Sequence, residues 1–142
     1  MGAHSEARRV VRHLRWPLEA AAFHVWIAVC AVLPVDAASN LGGWLGRTIG
    51  PWLGVNKLGH RNLRLAFPEM SHAQRLRILR QMWDNLGRTA AEYPHLDRIT
   101  DPASGRVETV GLENADATFA GQKPGVAFSA HLANWEVMHV VV

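Results

Sequence analysis

Val126-Ala127-Phe128-Ser129-Ala130-His131-Leu132-Ala133-Asn134-Trp135-Glu136 is the stretch on which the fold assignment turns. Val126 to Ser129 is a short run without polar alternation, as in strands buried on both faces of a parallel sheet. It empties into a histidine, and a carboxylate follows five residues on. Histidine titrates near neutral pH, so it can take a proton from an alcohol and pass it on. It does this best when one ring nitrogen is held by an acceptor, usually a carboxylate, leaving the other for substrate. On a continuous helix, positions five apart point about 140° from each other. The spacing therefore requires His131 on a strand-to-helix turn and Glu136 in the first turns of the helix, curled back under the ring. Asn134 is placed to cap that helix.

Working back from this turn, Gly121 to Gly125 reads as a loop and Leu112 to Ala120 as a short helix. Arg106-Val107-Glu108-Thr109-Val110 alternates like a half-buried strand, with Gly111 turning it. Strand, helix, strand, turn and helix open an α/β sheet, and reactive groups in such sheets sit at the carboxyl ends of strands, where His131 falls. His95 to Ser104, with Pro102, reads as a linker between this part and a helical one.

Ser71 and Gln74 form a capping box. Leu76, Leu79, Met82, Trp83, Leu86, Ala90 and Tyr93 follow at helical spacing, a core-facing stripe that Pro94 ends. Lys57 to Phe67 is a shorter helix ended by Pro68. Between Asp36 and Val55, Gly42, Gly43, Gly46, Gly50 and Gly54 interleave with Trp44 and Trp52. That pattern fits a segment at a bilayer surface or a loosely packed helix equally. Ala20 to Val35 is apolar apart from His24 and follows Arg8, Arg9, Arg12 and Arg15. Three readings stay open for it: a membrane anchor, spanning or tilted in the interface; a signal peptide cut near Val35-Asp36-Ala37; or a buried helix. The resulting division is a basic N-terminus and anchor over 1–35, a helical membrane-proximal region over 36–103, and the first part of an α/β domain over 104–142.

Of 142 residues, 49% are hydrophobic, which fits a globular or membrane-associated protein and argues against disorder. The single cysteine, Cys30, asks for no oxidising compartment. The net charge is only +3, but Arg47 to Arg88 holds eight basic residues against two acids. Thirteen of the fifteen basic side chains are arginine, shaped for forked contact with phosphate. A GC-rich genome gives the same bias. No nucleic-acid reading module is present, so nucleic acid is not an expected partner. The chain stops within the apolar run Val140-Val141-Val142, and the expectation is of an N-terminal fragment truncated after the catalytic turn.

His131-Leu-Ala-Asn-Trp-Glu136 resembles the signature of the lysophospholipid-type glycerolipid acyltransferases, a histidine, four residues, then Asp or Glu. The glutamate and Asn134-Trp135 are similar to one branch, the lauroyl/myristoyl transferases of lipid A biosynthesis. Arg61-Asn-Leu-Arg-Leu-Ala-Phe-Pro-Glu69, Asn85-Leu-Gly-Arg88 and Glu92 extend the resemblance over roughly residues 12–142. It implies an α/β/α sandwich behind an N-terminal membrane helix, on the cytoplasmic face of the bacterial inner membrane. The implied reaction moves an acyl chain from acyl carrier protein to a hydroxyl of a lipid A precursor. His131 would be the general base and Glu136 the carboxylate that orients it, with Asn134 and Trp135 shaping the substrate pocket. No metal or other cofactor is implied. Members of the family run on for about as much again, so the fragment alone is expected to be inactive.

The residues themselves leave other readings. Glu136, His139 and His131 make a possible metal triad. Ser129 lies near His131, but no Gly-x-Ser-x-Gly elbow accompanies it. Related enzymes act on other glycolipids, such as phosphoinositide mannosides. A non-catalytic membrane-bound helical module is the remaining alternative. For the oxyanion of acyl transfer, backbone N–H groups after Ala133 are candidates by position alone.

Overall fold

Two glycine-bearing helices meet backbone to backbone at the centre of the molecule. The structure, a computed structural model, describes residues 3–111, 113, 118, 120–121, 124, 126, 128–130 and 132–141. The central pair are α2 (Val35–Ile49) and α4 (His72–Glu92). Gly42, Gly46 and Gly50 recur every fourth residue and so share one face of α2 and the 3-10 turn after it (Gly50–Trp52). A methyl group on Gly42 would overlap the Gly87 carbonyl of α4, and one on Gly46 would overlap the Trp83 carbonyl. Gly87 is blocked in return by the Gly42 carbonyl. The glycines thus let two backbones approach where any side chain would hold them apart. The loosely packed alternative for this segment is replaced by a close backbone contact with α4.

The expected capping box is present. Ser71 Oγ accepts from the Gln74 amide at 3.3 Å, and Gln74 Oε1 accepts from the Ser71 amide at 2.8 Å. It opens α4 at the residue the sequence names. The core-facing stripe is realised only in part: Leu79 and Trp83 are buried, while Leu76, Met82 and Leu86 stay exposed. The buried face of α4 turns toward Thr89 and Ala91, because the glycine contact with α2 decides its orientation. Helix α3 (Asn56–Ala66) packs on α4 through Gly59 against Leu79, and Trp83 Nε1 donates to Asn56 Oδ1 at 2.9 Å.

The first helix, α1 (Ala3–Val32), runs through Pro17. Its C-terminal end joins a small core in which Cys30, Ala38 and Ala91 are fully buried, with Trp26 and Leu33 packed against them. Burial pushes the Cys30 thiol above its ordinary pKa. Residues 95–104, expected as a linker, instead fold into α5 (Leu96–Thr100) flanked by the 3-10 turns Tyr93–His95 and Pro102–Ser104. His95 is fully buried and its Nε2 lies 2.9 Å from the Cys30 carbonyl. A carbonyl only accepts, so Nε2 carries the proton, and Nδ1 has no partner among the described residues.

The α/β assignment is overturned: among the described residues there is no strand and no sheet. Among the described residues, Arg106–Val110 runs without a ladder, and Val126, Phe128 and Ser129 have no strand partner. Alternation makes a strand only where a partner supplies hydrogen bonds, and two short strands alone are marginal in water. Val110 is 84% exposed and Phe128 92%, so neither run is covered as a sheet interior would be. The helix expected over Leu112–Ala120 falls largely outside the described residues. The spanning form of the N-terminal anchor is also corrected. Among the described residues, no helix is long and apolar enough to cross a membrane. Glu19 and His24 interrupt the apolar half of α1, and that half ends at Val32. The final element is α6 (Glu136–Val141), which packs on α5.

Candidate active site

The last turn of α4 and Tyr93, the residue that follows it, reach the motif with three side chains. Thr89, Glu92 and Tyr93 are spaced i, i+3 and i+4, so they share one face of the helix. Thr89 is buried, and its hydroxyl donates to the Ala133 carbonyl at 3.4 Å. Glu92 Oε2 accepts from Asn134 Nδ2 at 2.9 Å. Tyr93 donates its hydroxyl to Glu136 Oε1 at 3.2 Å. Ala133, Asn134 and Glu136 are thereby tied to one rigid helix, although some forty residues separate them from it in sequence.

The tethers offset local strain. Ala133 has φ of 49°, in the left-handed region that a residue with a Cβ seldom enters. Such a conformation costs on the order of 1–3 kcal/mol and persists only where its surroundings impose it. The bond from Asn134 to the Glu92 carboxylate is charge-assisted and part-buried, of a kind that contributes roughly 1.5–3 kcal/mol. A carboxylate only accepts, so the nitrogen side of the Asn134 amide must face Glu92. The amide oxygen is then buried without a donor among the described residues.

Glu92 has a second partner, which links the motif to the glycine-packed pair. Its Oε1 accepts from Ser39 Oγ of α2 at 2.7 Å. Arg88 donates to Ser39 Oγ at 3.2 Å, to Asn40 Oδ1 at 2.9 Å and to Asp84 Oδ2 at 3.0 Å. Asp84 also accepts from Arg47. At the far end of α2, Arg106 grips Asp36 with two parallel bonds of 2.8 and 2.9 Å. The guanidinium lowers the Asp36 pKa, first by hydrogen bonding and then by its charge. The Tyr93 phenol is shifted upward, first by desolvation and then by its bond to Glu136 and the charge there.

The predicted site residues fare differently. Glu136 starts α6 and is tied to Tyr93. Asn134 does not cap α6: its amide oxygen, the atom a cap would use, accepts from no donor among the described residues. Trp135 packs edge-on against His139, ring centres 4.9 Å apart. The proposed base, His131, lies outside the described residues, and with it the geometry of the His131–Glu136 pair. The amides named for an oxyanion are partly committed: those of Val137 and Met138 donate to the carbonyls of Asn134 and Trp135. Among the described residues no three His, Cys, Asp or Glu side chains are grouped to hold a metal.

A cavity of about 500 Å³ lies beside the turn. Val107 to Val110 form one wall, and Phe128, Leu132, Asn134, Trp135, Val137 and Met138 line much of the rest. Among the described residues that line it, only Glu108 is charged, so it suits an apolar guest with polar groups at one end. Sequence reasoning missed Ser39, Thr89 and Tyr93 as supports and noticed Glu92 only through the resemblance. The spacing of 89, 92 and 93 at the end of a capped helix was the available signal.

The helical scaffold thus holds a strained turn and the Glu136 carboxylate beside an apolar cavity. The family model for the bacterial lipid A biosynthesis acyltransferases matches residues 6–142, and the chain belongs to that family. No curated protein and no solved structure matches it.

Proposed function

We propose that this chain serves transfer of a fatty acyl group from acyl carrier protein to a hydroxyl of a lipid A precursor, at the cytoplasmic face of the bacterial inner membrane. His131 takes the proton from the attacking hydroxyl, and Glu136 orients the imidazole and stabilises its charged form. The alkoxide attacks the thioester carbon. Collapse of the tetrahedral adduct forms the ester and expels the carrier thiolate, which recovers the proton. The acyl chain lies in the cavity between Val107–Val110 and the 128–138 segment, with Asn134 and Trp135 meeting the polar end of the substrate.

One observation carries the reading: Glu136 is anchored through Tyr93 to α4 on the turn that follows His131, beside an apolar cavity. A carboxylate that orients a base must itself be held, and here α4 holds it. The exposed Leu18, Val25, Val29 and Val32 share one side of α1 and give a second support, since a helix with such a face lies in the bilayer interface without spanning it. The test is acyl transfer to a lipid A precursor by the membrane-borne protein and its His131→Ala variant. Activity should fall by at least about a hundredfold while membrane association persists. A His131→Ala enzyme that keeps its rate removes the mechanism.

A further inference from the structure

Away from the motif, α3 and the first turn of α4 enclose a second polar cavity of about 260 Å³. Its lining is Lys57, His60, Arg61 and Arg64 from α3, with His72 and Arg75 from α4. The α3 residues are spaced i, i+3, i+4 and i+7, so they form one stripe, and it faces the start of the neighbouring helix. Among the described residues, no carboxylate lines the space. Among the described residues, none of these cations has an ion pair. Arg75 donates to the Met70 carbonyl, which fixes one guanidinium at the rim. The two imidazoles stack nearly parallel, 6.1 Å apart and 8° from coplanar.

Four permanent positive charges around one cavity repel each other, and the partial positive end of α4 adds to the potential. Convergence of this kind is relieved by a bound anion. Guanidinium groups present paired N–H donors that match phosphate oxygens. Trp52, Leu53, Val55 and Leu58, just before and on α3, are exposed apolar side chains, Trp52 to 87%. A phosphate carried on a lipid would place its chains against such a surface.

We propose that this cavity is a phosphoryl-binding site, separate from the acyl-transfer motif, that takes the phosphate headgroup of an anionic lipid. The bound headgroup seats α3 and the start of α4 on the membrane surface. Binding is measured by co-sedimentation with phosphatidylcholine vesicles containing 30 mol% phosphatidic acid, at constant ionic strength. The Arg61→Gln/Arg64→Gln protein should bind about tenfold more weakly than wild type. The Arg77→Gln/Arg80→Gln protein removes equal charge outside the cavity and should lose less than about threefold. Inorganic phosphate separates headgroup from free anion. If it displaces the wild type from vesicles, the cavity takes the headgroup. If it instead raises the Tm of wild type but not of Arg61→Gln/Arg64→Gln, with no difference between the variants on vesicles, the phosphoryl site stands and the lipid source is overturned. Equal losses in both variants, with no phosphate effect on either, overturn the site.

Discussion

The α2–α4 pair and the described residues between Gly105 and Val141 are built on opposite principles. In the first, Gly42, Gly46 and Gly87 bring backbone against backbone, and the contact tolerates no added atom. In the second, apolar side chains such as Val110, Val126 and Phe128 stay exposed, and a few polar tethers tie the chain to α2 and α4. Most of these tethers end on the last turn of α4, the same helix that the glycines fix. The difference teaches that position at the motif is borrowed: the turn is as well placed as α4 is, and α4 is placed by glycine.

The comparison can be broken most severely at the glycines. Gly87→Val forces a branched side chain into the Gly42 carbonyl and should cost about 3 kcal/mol or more, read from denaturant unfolding. Gly54→Ala meets no atom within 4 Å and should stay within about 0.5 kcal/mol of wild type. Glu92→Ala comes next. It strands Ser39 and Asn134 together and should cost roughly 1–3 kcal/mol, with faster amide exchange at 133–138 than across the centre of α4. Uniform loss of protection would show that the two regions are one cooperative unit. Tyr93→Phe removes a single donor from Glu136, for roughly 0.5–1.5 kcal/mol.

The smallest effect is expected at the exposed Asp36–Arg106 clamp. The Asp36 pKa is lowered in the fold, so the clamp contributes above the ordinary carboxylate value of 3.8 and fades as pH falls through the lowered one. Asp36→Asn should change Tm by about one or two degrees at pH 7, and by less in acid. A difference that widens as pH falls would reverse the assigned sign.

Local signals were legible in the sequence where the chain's own neighbours decide the outcome. Ser71 and Gln74 cap α4 because both side chains lie within one turn of the amides they satisfy. Lys57–Phe67 was expected as a helix, and Asn56–Ala66 is one. Signals that need a distant partner were misread. The alternation of Arg106–Val110 has no ladder to join among the described residues, and the Gly42, Gly46, Gly50 spacing has meaning only once Gly87 and Trp83 lie opposite. His95 reads as a linker residue until the Cys30 carbonyl, 65 positions earlier, is brought beside it. Glu136 was singled out by its type and spacing. Its support was not, because Thr89, Glu92 and Tyr93 look like the tail of an amphipathic helix.

The most direct test is the acyl-transfer rate of Glu136→Ala, measured on protein whose Tm matches wild type. An acid that holds the base should, when removed, cost at least about a hundredfold in rate with membrane association unchanged. A rate within twofold of wild type would contradict the role assigned to Glu136, and the turn built on α4 would then be structural alone.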